Sequence, residues 1–151
     1  MKLPFEKETW REQFARVERW YQKTQKISRT RVAVDTEDLD ILFAFFLNCW
    51  HLYDWLKNSE ALPAETIEDF FRKNDHMKFC YDICIGTKHL KIDNPKAGLN
   101  RLVMGREYVG GKIGYVSTQM IVFKGGGRRM TLMADNCMSE IKSFLRESKL
   151  L

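Results

Sequence analysis

Long apolar runs are what this sequence most plainly lacks. The longest, Ile41 to Leu47, falls far short of the ~20 residues a membrane-spanning helix needs, so no membrane partner is expected. The segment Met1-Lys2-Leu3-Pro4-Phe5-Glu6-Lys7-Glu8 is charged from the start. It offers no apolar stretch of the kind a secretory leader carries. Cysteine is too sparse, at four residues, to make a disulfide framework in a chain of this size, which fits a reducing, cytoplasmic setting. There is no internal repeat and no low-complexity linker. A GxxxxGK[ST] phosphate loop is absent, and no Ser/His/Asp or Cys/His spacing argues for a nucleophile.

What is present describes one globular domain. A chain of 151 residues buries roughly 70% of its unfolded surface and supports its own core. Ten Phe and four Trp make that core bulky. The net charge of +5 is segregated: residues 1–31 carry nine basic and four acidic side chains, residues 88–129 nine and two, and residues 32–87 four and eleven. Either these are solvated faces, or basic surfaces flank an acidic helical centre and meet nucleic acid or an acidic protein.

Hydrophobic periodicity predicts a mainly helical α+β fold. It is a bundle of four to five helices with a three-stranded antiparallel β meander inserted before the C-terminal helix. A first helix is expected over about 6–28, from Trp10, Phe14, Val17, Tyr21 and Thr24 at spacings of three and four. A basic connection, residues 29–34, leads to a second helix at about 36–57, capped by Asp35 or Thr36. This helix is apolar on most of its circumference and is therefore the central element. Pro63 suits the first turn of a third helix, 64–72. Asn74 or Asp75 caps a fourth at 75–86, which Gly86 is suited to end. After the Asn94-Pro95 turn, β-prone runs at 102–109, 112–123 and 128–133 are separated by Gly110-Gly111 and Gly125-Gly126-Gly127. An amphipathic helix at 134–149 closes the chain.

Two histidine-bearing segments carry the most chemical information. His51 and Asp54 are three residues apart, hence neighbours on one face of the second helix, in a polar stripe that also includes Asn48. A carboxylate beside an imidazole fixes the ring and favours its charged form. The pair is either structural or a polar site floored by Trp50 and Trp55. The second segment contains Asp82 and ends in Gly86-Thr87-Lys88-His89. Lys88 and His89 either serve a helix C-terminus as favourable cations or face His51 and Asp54 across antiparallel helices in one pocket. His76, Cys80 and Cys84 stand at i, i+4 and i+8, but at ~1.5 Å rise per residue the outer two are about 12 Å apart, too far to share one zinc. No metal site and no cofactor are expected. Lys124-Gly-Gly-Gly-Arg128-Arg129 is either a flexible hairpin tip or a basic finger able to approach phosphate.

The HxxDW segment His51-Leu52-Tyr53-Asp54-Trp55 and the GxKH segment Gly86-Thr87-Lys88-His89 resemble an uncharacterised bacterial family. That family is itself similar to the HEPN (higher eukaryotes and prokaryotes nucleotide-binding) helical bundles. The resemblance covers roughly residues 35–90. It implies a helical bundle, a dimer and a site at His89, and in the ribonuclease members a metal-independent reaction with an Arg-x(4–6)-His motif. Here Asp82 to Lys88 contain no arginine, and Arg72 precedes His76 by one residue too few.

Three functions are therefore expected in turn. The first is an HEPN-like module binding RNA, a nucleotide or a protein partner, with Asn48, Asp82, Lys91, Arg101, Arg106, Arg128 and Arg129 as binding residues beside Lys88. The second is a ribonuclease using His51 or His89 as acid–base, Lys88 against developing phosphorane charge and Asp54 to orient an imidazole. The third is a structural or interaction protein, dimeric through helix faces.

Overall fold

The computed structural model describes residues 9–27, 36–89, 94–97, 99–108, 115–123 and 126–151; between 99 and 127 it describes the backbone only. The expected Asp35 cap, the basic connection 29–34, Lys91, Gly110-Gly111 and Lys124 lie outside the described residues.

The fold is mainly helical, with five helices among the described residues. Helix α1 (Trp10–Thr24) begins at Thr9, whose side chain accepts a hydrogen bond from the Arg11 amide. It buries Trp10, Phe14 and Val17. Helix α2 (Thr36–Asn58) touches all four other helices. It fully buries Leu42, Phe45, Phe46, Cys49, Leu52 and Leu56. Helix α3 (Ala64–Lys73) is short, with Pro63 standing just outside it as the N-cap residue rather than in its first turn. Pro63 has extended backbone there, ψ 135°, which an N-cap requires and a helical residue does not have.

Helix α4 (Asp75–His89) starts at Asn74, whose Oδ1 accepts from the amides of His76 and Met77 at 2.9 and 3.2 Å. It does not stop at Gly86. Thr87 donates its hydroxyl to the carbonyls of Ile83 and Cys84, and the helix continues through Lys88 and His89. A glycine within a helix costs only about 1 kcal/mol, so Gly86 does not by itself end α4.

Between α4 and α5 the backbone holds strands β1 (Leu99–Tyr108), β2 (Tyr115–Phe123) and β3 (Gly126–Arg129), paired antiparallel. Helix α5 (Met130–Glu147) begins earlier than expected. Met130 to Met133 belong to its first turn instead of extending a strand to 133. The reason is packing, because Met130, Met133, Ala134, Cys137, Met138 and Ile141 continue one buried stripe. All five helices contribute to a single apolar core.

Candidate functional site

Helices α2, α3 and α4 enclose a cavity of about 380 Å³ lined by Trp50, Phe71, Arg72, Lys78, Tyr81 and Lys96. Its apolar wall is an aromatic cluster. The Trp50 ring stacks on Tyr53 at 5.2 Å and meets Tyr81 edge-on at 4.9 Å and Phe71 at 6.0 Å. Lys78 and Tyr81 are three residues apart on α4, which places them on one face. Lys96 reaches the cavity because a buried carboxylate holds its backbone. Asp82 accepts from the Lys96 and Ala97 amides at 2.7 and 2.8 Å. Burial pushes the Asp82 carboxyl above the usual carboxylate range, while those two amides pull it back.

The cationic rim is set by neighbouring carboxylates. Glu68 pairs with Arg72 and accepts from Lys57 and the Tyr53 hydroxyl, both at 2.7 Å. The Lys57 hydrogen bond, then that of Tyr53, lowers the Glu68 pKa. Lys78 pairs with Asp75 at 2.9 Å and lowers its pKa. The charge of Arg128 is also felt at Asp75, so the start of α5 lies near this rim.

A second feature adjoins the first along the same two helices. The His51 Nε2 lies 3.9 Å from the Cys84 thiol. Burial, and next the charge of Asp54, raise the Cys84 pKa, while Lys88 opposes them. His51 thus touches this thiol, the charges of Asp54 and Lys88 are felt at it, and all three residues are exposed. The helices carrying them are not antiparallel. Contacts ascend together, Phe46 with Phe79, Trp50 with Tyr81 and His51 with Cys84, so α2 and α4 run in the same sense. The intervening α3 makes the return. His89 ends α4, exposed, five residues after Cys84. Five positions turn a helix by roughly 140°, so Lys88, four residues on, shares the Cys84 face and His89 does not.

Other expected site residues are placed elsewhere or bound up in packing. Asn48 ties α1 to α2: Gln13 donates to its backbone oxygen and to its Oδ1 at 3.0 and 3.1 Å, and its own amide donates to Ala44. Trp55 does not join Trp50 in one floor. Arg16 of α1 lies over the Trp55 ring at 5.1 Å, because residues five apart face different neighbours. Arg128 is exposed and Arg129 half-buried at the junction of β3 and α5. The side chains of Arg101 and Arg106 lie outside what is described, though both positions are on β1. His76 approaches Glu140 at 3.8 Å. Among the described residues no three His, Cys, Asp or Glu side chains form a group suited to a metal ion, and no helix is long and apolar enough to cross a membrane.

No protein-family model, curated protein or solved structure matches the chain.

Phe71, Lys78, Tyr81 and Lys96 are not site candidates on sequence grounds, and Arg72 enters there only through its spacing from His76. Lys78 and Tyr81 at i and i+3 were the available signal, but three helices and a connecting segment must meet before the cavity exists.

Proposed function

We propose that the chain is an HEPN-like module that binds a nucleotide unit of RNA in the cavity between α2, α3 and α4. The observation that carries this reading is the aromatic wall of Trp50 and Tyr81, backed by the buried Phe71, under a rim of Arg72, Lys78 and Lys96. Aromatic rings accept a base face with little sequence preference, and cations track the phosphates. A volume of about 380 Å³ suits one small ligand. In the same reading the β strands, arranged as a meander, carry Arg101, Arg106, Arg128 and Arg129 as a basic arm for the rest of the strand.

The test is a fluorescence titration with adenosine monophosphate and with a short oligouridylate, at low and moderate salt. RNA affinity is expected to fall as salt rises, with a slope of about −0.7 for each phosphate contacted. The double variant Lys78→Glu, Lys96→Glu is expected to lose at least about tenfold in affinity, the scale of one or two charge-assisted contacts. Absence of binding by both ligands, or binding indifferent to salt and to the double variant, overturns the proposal.

Cleavage of the bound RNA is a second reading, favoured by His51 beside Cys84, where the charges of Asp54 and Lys88 are also felt. There the His51 ring acts as acid–base and Lys88 offsets phosphorane charge. Cleavage in the presence of a chelator, lost in His51→Ala with RNA binding retained, is the expected result. Cleavage that persists in both His51→Ala and His89→Ala removes this reading and leaves the binding module.

A further inference from the structure

All four cysteines of the chain come together, although they arise on three helices: Cys49 on α2, Cys80 and Cys84 on α4, and Cys137 on α5. Cys80 is the hub. Its thiol lies 3.6 Å from that of Cys137, and Cys49 is close enough for the two thiols to influence each other's pKa. Cys84 stands one helical turn away on the same helix. Cys49, Cys80 and Cys137 are each 0% exposed. Cys84 is half-buried and meets solvent beside the His51 ring. Cys84 at the surface, Cys80 one turn away and Cys137 against it thus lead from solvent into the core.

We propose that this path is a thiol relay: a small disulfide such as oxidised glutathione reacts at Cys84, and the oxidation ends as a Cys80–Cys137 disulfide joining α4 to α5. In the first step the Cys84 thiol yields its proton to His51 Nε2, and the sulfur attacks one sulfur of the small disulfide. A mixed disulfide forms on Cys84, and one glutathione thiol leaves with a proton. Cys80 then attacks the Cys84 sulfur and releases the second glutathione thiol. The resulting i, i+4 link is strained. Such Cβ atoms stand about 5–6 Å apart, whereas a relaxed disulfide wants about 3.5–4.5 Å. Cys137 therefore attacks the Cys80 sulfur, and Cys84 departs and regains a proton. Two thiols have become one disulfide, and one small disulfide has become two thiols.

Two features shape the outcome. Burial holds the Cys80 and Cys137 thiols well above the ordinary cysteine range and raises Cys84 as well, so it is exposure, not a low pKa, that makes Cys84 the entry point, and every step is slow, on the order of minutes to hours. The 3.6 Å separation leaves side-chain rotation, rather than backbone movement, to close the bond.

The experiment treats the full chain with oxidised glutathione and follows intact mass and non-reduced peptides. Chymotryptic cleavage after Tyr81 separates Cys80 from Cys84. The expected product has lost about 2 Da, for two departing hydrogens, and contains a Cys80–Cys137 link. Cys84→Ser, at a half-exposed position and with its fold checked by circular dichroism, is expected to slow the link at least about tenfold. Cys49→Ser is expected to leave the Cys80–Cys137 link intact. A glutathione adduct that stays on Cys84, a Cys49–Cys80 link, no reaction, or an unchanged rate in Cys84→Ser each overturns the relay.

Discussion

Asp82 is a carboxylate with 0% exposure whose work is to satisfy two backbone amides. Without it, the amides of Lys96 and Ala97 lose partners placed at 2.7 and 2.8 Å. Asp82→Ala is therefore expected to cost about 1–3 kcal/mol, read by urea unfolding, and to speed amide exchange at Lys96 and Ala97. The same variant should weaken binding at the cavity by freeing Lys96. The pH dependence has a defined sign. Burial raises the folded-state pKa of this carboxyl, so the ionised form is the costlier one in the fold. Its contribution is most favourable while it is protonated and falls as pH rises from the ordinary aspartate value through the raised one. The alanine variant lacks that decline. Asp82 was expected to take part in binding, and the structure shows it holding a cavity residue in place.

At the scale of elements, the Glu68 cluster joins α2 to α3 through Lys57, Tyr53 and Arg72. Hydrogen bonds and positive charge lower the Glu68 pKa, Lys57 foremost. A lowered carboxylate contributes stability that is present above its ordinary value and lost as pH falls through the folded-state value. Glu68→Gln is therefore expected to flatten the acid side of the stability profile. Urea midpoints compared between about pH 3 and pH 6 check this; equal slopes for both proteins would show that the cluster contributes nothing. Helix ends reveal a related contrast. Asn74 caps α4 through local bonds that its own residue type announces. The helix continues past Gly86 through His89, with the Thr87 hydroxyl bonding back to Ile83 and Cys84, so a glycine that looks like a stop sits inside the helix.

For the molecule as a whole, the core runs through rings shared between helices. Phe46 meets Phe45 at 5.3 Å and Phe79 at 4.8 Å, both edge-on, and Tyr21 continues the chain of contacts to α1. Phe46→Ala is expected to cost about 3–5 kcal/mol, a large part of the about 5–15 kcal/mol by which domains are stable. The result should be a cooperative loss of all five helices together, with coincident midpoints by far-ultraviolet circular dichroism and Trp fluorescence. Retention of near-wild-type stability would mean that the ring contacts add little beyond filling volume.

Periodicity and capping chemistry alone located the helices and the apolar girdle of α2, though not where α4 ends or α5 begins, because each is a property of residues within a few turns of each other. The same is true of the His51–Asp54 neighbourhood. What only the tertiary structure decided is which helices run together and which side chains meet. The short α3 carries the chain back, so α4 lies alongside α2 in the same sense, bringing Cys84 rather than His89 to His51. It also turns Trp50 toward Tyr81 and Phe71 while Trp55 packs under Arg16. The four cysteines look scattered along the chain, and nothing local relates Cys137 to Cys80. Burying the apolar stripes of α2, α4 and α5 against one another brings them together, since that packing satisfies contacts far apart in sequence at once.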